Sequence, residues 1–148
     1  MELYQATIKD LEGVSNLFNL YRMFYQQEAD LEGAMTYIKK RIESKDSVIF
    51  VVKDKGEYVG FTQLYPTFSS ISMQRAWILN DLYVSTNVRE QGVGEMLLNK
   101  AKEYAIETGA NSLSLSTAPD NYSAQRLYEK NGYEKDSQYY HYELDLTK

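Results

Sequence analysis

Val84-Ser85-Thr86-Asn87-Val88-Arg89-Glu90-Gln91-Gly92-Val93-Gly94-Glu95 is the stretch on which the reading of this chain turns. Before it, Trp77 to Val84 reads as a strand. After it, Val93, Met96, Leu97, Ala101, Tyr104 and Ala105 recur at helical spacing, and Gly109 supplies a stop. Glycine at the mouth of a helix costs about 0.5–1 kcal/mol relative to alanine. Two of them there suggest a backbone that approaches something closely. The first turn of a helix also presents N–H groups and the positive end of the dipole, which together hold an anion such as a phosphate. The same glycines read equally as relief of crowding where the helix crosses a sheet. A G-x-G falls by chance about 0.7 times in a chain of this length, so its neighbours must decide. A dinucleotide fingerprint from Gly92 needs a third glycine where Leu97 stands. A P-loop needs glycine and lysine where Leu97 and Leu98 stand. What remains is R-x-x-G-x-G between a strand and a long amphipathic helix.

Working outward, Leu3 to Ile8 alternates as a short strand. Asp10 to Gln27 carries Leu11, Val14, Leu17, Phe18, Tyr21 and Phe24/Tyr25 at helical spacing, and a second helix after Asp30 carries Met35, Ile38 and Ile42. Ser47 to Val52 is a β-branched buried strand, and Lys53 to Gly56 is a hairpin turn into a strand from Tyr58 to Tyr65. Pro66 to Ser72 reads as a loop. Leu113 and Leu115 alternate with serines in a further strand, Ser123 to Lys130 forms a helix closed by Asn131-Gly132, and Tyr139 to Leu146 alternates strictly as a last strand. The order predicts a three-layer α/β fold in one domain over residues 1–148. Its sheet is mixed, mostly antiparallel, with six to seven strands flanked by about four helices.

With 148 residues, 43% hydrophobic and 25% charged, the chain has a globular balance that excludes a disordered or fibrous protein. No apolar stretch approaches the roughly 18 residues of a membrane span, and the start lacks a signal layout, so a cytoplasmic protein is expected. The absence of cysteine excludes a thiol nucleophile and cysteine-based metal sites, and the single histidine, His141, leaves no multi-histidine centre. No metal is expected. A net charge of −5 argues against a nucleic-acid partner and suits a cationic small molecule. Fourteen tyrosines supply apolar wall with polar tips.

The glycine loop resembles the pyrophosphate loop of the GNAT N-acetyltransferase superfamily. About thirty residues on, Asn121-x-x-Ala124-x-x-Leu127-Tyr128-x-x-x-Gly132-Tyr133 resembles the second signature of that superfamily. The likeness covers roughly Ile78 to Tyr133. It implies acetyl-CoA as donor and an amine as acceptor, joined by direct transfer without an acyl-enzyme. It further implies that the loop of Arg89, Glu90, Gln91, Gly92, Val93, Gly94 and Glu95 cradles the pyrophosphate through backbone N–H groups. Leu82, Tyr83 and Val84 would pair their backbone with the pantetheine arm, with Asn121 and Ala124 beside it. Tyr128 would lie near the thioester sulfur, where a phenol of pKa about 10 serves as an acid. Tyr128 also reads as an amphipathic core tyrosine, Asn121 as a helix N-cap, and Arg89 as a solvated charge.

On the acceptor side, Leu79-Asn80-Asp81-Leu82-Tyr83-Val84 resembles the L-E-D-[LF]-[YF]-V run of the diamine acetyltransferases. Asn80 stands where that run has glutamate, and a carboxamide cannot act as a base. Asp81 is then the candidate to attract an ammonium group and relay its proton. Glu28 and Asp30 are further candidate acids beside the acceptor, or else a solvated loop. The expected activity is acetylation of a primary amine on a small, cationic molecule. Acetylation of a protein lysine or N-terminus, and a non-catalytic acyl-CoA-binding module, remain open beside it. A homodimer through the aromatic C-terminal strand is expected from its exposed edge.

Overall fold

The computed structural model describes residues 1–147, which divide into two compact units, the first running from Met1 to Ser116 and the second from Thr117 on. In the first unit, β1 (Glu2–Gln5) leads through a 3-10 turn at Ile8–Asp10 into α1 (Leu11–Phe24) and α2 (Leu31–Ser44). Thr7 and Asp10 cap that turn reciprocally, with the Thr7 N–H donating to Asp10 Oδ2 at 2.9 Å. Asp30 opens α2 by accepting from the Gly33 N–H at 2.9 Å, so this predicted substrate acid is a helix cap.

The strands β2 (Val48–Asp54), β3 (Glu57–Ser69) and β4 (Gln74–Val84) follow, then α3 (Val93–Glu107) and β5 (Leu113–Ser114). The sheet order is β1-β2-β3-β4-β5, antiparallel throughout except for the parallel pair β4–β5. Val48 to Val52 are all buried, as a strand covered on both faces must be. Val14, Leu17 and Phe18 of α1 and Ala34 and Ile38 of α2 form one core with Ile49, Val51 and Phe61. On the other face α3 buries Val93, Leu97, Leu98, Ala101 and Ala105 against β2, β3 and β4. Gly60 sets that approach, because a Cβ there would stand 2.9 Å from Val93 Cγ1 and 3.3 Å from the Tyr83 carbonyl. The second unit contains α4 (Tyr122–Lys130), for four α-helices among the described residues.

Three expectations change. The sheet of the described residues has five strands rather than six to seven. Pro66 to Ser72 is not a loop, since β3 runs to Ser69 and pairs Pro66 with Trp77. The Trp77 N–H donates away from β3, to the Ser112 carbonyl at 3.1 Å, so Pro66 sits opposite a residue that asks it for no N–H. Finally, Tyr139 to Leu146 forms no strand. Turns held by Asp136, which accepts from the Gln138 and Tyr139 N–H groups, and by Asp145, which accepts from Thr147, replace it. An alternating pattern prepares a strand but supplies no partner for its ladder.

Candidate active site

The loop from β4 to α3 takes the form the glycines suggested. After a 3-10 turn at Thr86–Val88, Glu90 (φ +68°) and Gly92 (φ +80°) both adopt the left-handed conformation. A non-glycine residue held there is strained by roughly 1 kcal/mol or more, a cost that concentrates at ligand sites. Left-handed residues set one apart turn successive N–H groups to one side, the geometry of an anion-binding nest. The helix ladder begins with the Met96 N–H on the Gly92 carbonyl at 3.0 Å, so the N–H groups of Val93 and Gly94 precede it. Around Gly92 there is open space, since a Cβ would meet nothing within 4 Å. The pyrophosphate of CoA fits this chemistry of aligned backbone donors and a dipole end. Arg89 braces the loop, its Nε donating to the Val84 carbonyl at 3.1 Å and its guanidinium standing 6.0 Å from the Phe24 ring centre.

The end of β4 separates the three residues expected to meet pantetheine. The Ser85 N–H donates to the Val59 carbonyl at 2.8 Å, which fixes the alternation of the β3–β4 ladder. Tyr83 therefore turns its backbone to β3, while Leu82 and Val84 turn theirs to the opposite edge. Pairing with β5 stops at Ile78, opposite Ser114, so that edge has no strand beside it in the first unit. Leu82 and Val84 fit an added strand. Tyr83 contributes a ring instead, 6.4 Å from that of Tyr21.

Asp81 is 4% exposed. Gln63 Nε2 donates to its Oδ2 at 2.8 Å and Asn80 Nδ2 to its Oδ1 at 3.2 Å, while Ser47 holds Gln63 from behind at 2.9 Å. The Tyr21 hydroxyl donates to the Asn80 carbonyl at 3.4 Å, which puts it beside the carboxylate. Burial pushes the Asp81 carboxyl above the usual range, and the hydrogen bonds from Gln63, Tyr21 and Asn80 only partly oppose it. A carboxylate so placed is a stronger base than an exposed one. Nearby, the Tyr37 and Tyr65 hydroxyls share a hydrogen bond of 2.6 Å. Phe18, Tyr21, Tyr37, Phe61 and Tyr83 pack as an aromatic wall. Sequence reasoning missed Tyr21, Gln63 and Tyr65. The stripe of rings on α1 is a signal for Tyr21 alone, because Gln63 and Tyr65 lie on β3.

Glu28 is not part of this network. It lies on the exposed α1–α2 loop, where its carbonyl accepts from Arg22 Nη1 at 3.3 Å. In the second unit, Asn121 caps α4 by accepting from the Ala124 N–H at 3.2 Å, as its N-cap reading required. Tyr128 is half-buried, with its ring 6.0 Å from that of Tyr133. The Tyr133 hydroxyl is buried without a hydrogen-bond partner, and burial raises it to about 12. His141 is exposed. Among the described residues no three His, Cys, Asp or Glu side chains gather as a metal site would require, and no helix is long and apolar enough to cross a membrane.

A nest at the start of a helix, a strand edge leading to it with no strand beside it in the first unit, and a buried carboxylate on that strand are features that an acyl-CoA site requires. The profile of the acetyltransferase (GNAT) family matches residues 14–133, and the chain belongs to that family. It is an acetyl-CoA-dependent N-acetyltransferase. An uncharacterized N-acetyltransferase of Bacillus subtilis (strain 168), YhfO, is 49% identical over 146 residues, covering 99% of this chain and 98% of that one. The D-amino-acid N-acetyltransferase HPA3 of Saccharomyces cerevisiae is 28% identical over 136 residues, covering 89% and 84%. A crystal structure of a probable acetyltransferase superposes with a TM-score of 0.94 at 40% identity, covering 99% of this chain and 98% of that one.

Proposed function

We propose that the protein moves acetyl from acetyl-CoA directly to a primary amine of a small, cationic molecule. The observation that carries this is Asp81, a buried, hydrogen-bonded carboxylate on the strand that runs into the nest, beside an aromatic wall. An alkylammonium, pKa near 10, must lose a proton before it attacks a thioester. In this reading Asp81 draws the ammonium in and takes that proton. Bound acetyl-CoA supplies the activated acetyl group, held by the backbone of Glu90 to Glu95, by the edge of Leu82 and Val84, and by Asn121 and Ala124. Tyr128 gives a proton to the departing thiolate. Asn80 and Glu28 serve the acceptor by polarity rather than as bases.

The test is thioester cleavage with a panel of spermidine, L-lysine, D-phenylalanine, neamine and a lysine-bearing peptide. D-Phenylalanine belongs in it because a relative is named for D-amino acids. Turnover of one of the small amines well above the peptide is the expected result. Preference for the peptide transfers the activity to protein acetylation, and CoA binding without any turnover reduces the chain to a binding module. The reading also includes work in the cytoplasm as a homodimer. Exposed Tyr140, Tyr142, Leu144 and Leu146 support the dimer, and sedimentation decides it.

A further inference from the structure

Asp81 is buried, so a proton reaches it through the side chains around it. Of the three side chains that act on its carboxylate, Gln63 is fully buried and leads inward to Ser47. Asn80 and Tyr21 lead outward. A carboxamide donates its hydrogens but does not surrender them at neutral pH, so Asn80 conducts nothing. A hydroxyl gives one proton while it accepts another on the same oxygen. Tyr21 is half-buried on α1, fixed by edge contacts to the Tyr25 and Phe61 rings at 5.1 and 5.8 Å, with its hydroxyl also 3.4 Å from the Asn80 carbonyl.

We propose that the Tyr21 hydroxyl is the proton relay between the acceptor's ammonium group and Asp81. The proposal rests on Asp81 being the base. In the step, an N–H bond of the ammonium breaks and its proton moves to Tyr21 Oη. The Tyr21 hydroxyl proton moves to the Asp81 carboxylate. Tyr21 ends with the proton count it started with, Asp81 becomes a neutral carboxylic acid, and the nitrogen keeps the electron pair that attacks the thioester. The raised carboxyl of Asp81 favours this direction of transfer. The other groups near it hold their charge. Tyr65 on β3 is pushed far above the phenol range by burial and by the Tyr37 hydrogen bond, with the Arg41 charge of α2 opposing.

The experiment compares Tyr21→Phe, Asp81→Asn and the double variant by pH profile, using whichever of spermidine, L-lysine, D-phenylalanine or neamine turns over fastest. Tyr21→Phe keeps the ring and should cost about 10²-fold in kcat/KM near pH 7, recovering as free amine appears at higher pH. The KM for acetyl-CoA should not move, and the double variant should be no slower than Asp81→Asn alone. Carboxyl-carbon NMR of Asp81 gives a readout without any acceptor: losing the Tyr21 bond should raise its titration midpoint. An unchanged midpoint, an unchanged pH profile or an equal loss at every pH overturns the relay. If Tyr21→Phe is normal while Asp81→Asn is impaired, only the relay falls. A normal Asp81→Asn removes the base itself.

Discussion

Replacing Gly13 with alanine sets local propensity against tertiary structure. Within a helix that exchange gains about 1 kcal/mol. Here the added Cβ would lie inside the contact envelope of the Tyr58 ring, 2.5 Å from Cζ. The ring is not free to withdraw. Its hydroxyl donates to Asp10 Oδ1 at 2.7 Å, the same oxygen that receives Tyr4 at 2.6 Å, and Lys53 Nζ covers its face 4.9 Å from the centre. Displacing it forfeits a bond to a charged, buried carboxylate, about 1.5–3 kcal/mol, and a cation–π contact of about 0.5–1 kcal/mol. Against the propensity gain, the net loss is about 2 kcal/mol, or about 4–8 °C in Tm for a chain this long. The loss should depend on pH. Burial pushes the Asp10 carboxyl up, but the hydrogen bonds from Tyr4, the Thr7 N–H and Tyr58, with the Lys53 charge, bring it below the usual range. The stability it contributes is therefore present above about pH 4 and disappears as pH falls through the lowered value. Thermal melts followed by circular dichroism should show the two proteins well apart at pH 7 and converging in acid. A Gly13→Ala protein as stable as the parent at pH 7 would refute the argument.

Gly94→Val should leave the fold intact yet weaken acetyl-CoA at least 10-fold in calorimetry, because a branched side chain would stand where the first helical turn meets the pyrophosphate; unchanged affinity in a folded variant removes the nest from the site. Tyr128→Phe should lower kcat by about 10²–10⁴ while acetyl-CoA binding holds, and equal turnover would return Tyr128 to a packing role. For Asp81, whose carboxyl is raised in the folded state, stability should decline as pH climbs from about 4 through that raised value. Asp81→Asn cannot titrate, so its urea-unfolding stability should be flatter over that window, and a variant that loses more at pH 7 than at pH 4 contradicts the burial argument.

Some of this was readable before any coordinates. The nest was legible because a left-handed residue at a helix mouth must usually be glycine, and Gly92 is one. Glu90, equally left-handed, left no mark, since its strain is imposed by the loop rather than written in its side chain. The sheet is legible as far as pattern carries: β2 shows as a run of β-branched residues, but Pro66 to Ser72 reads as a loop because nothing local says that Trp77 turns its N–H away. Tyr139 to Leu146 failed in the opposite sense, since alternation describes a strand's two faces and not the ladder it needs. The partners of Asp81 were invisible for a further reason. Gln63 is 18 residues away, and Tyr21 meets the Asn80 carbonyl across 59 positions, so both contacts are products of packing.

One residue joins the two halves of the site. In the β3–β4 ladder Gln63 faces Asp81 but Leu64 faces Leu79, so Asn80 is an extra residue, a bulge. Cross-strand partners share a face of the sheet. Leu79 thus lies with Leu64 on one face and Asp81 with Gln63 on the other, although strict alternation would have put Leu79 and Asp81 together. The bulge frees the Asn80 carbonyl from the ladder, 3.4 Å from Tyr21, and brings its carboxamide onto Asp81 at 3.2 Å. It also comes just past the last residue of β4 that pairs with β5, where the edge that serves Leu82 and Val84 begins. Pairing Asn80 into a regular ladder would put Leu79 and Asp81 on one face, and so turn one of the two, both buried, to the wrong side of the sheet. The core on both sides of the sheet therefore holds the bulge in place, and with it the carboxylate and the strand edge of the proposed site.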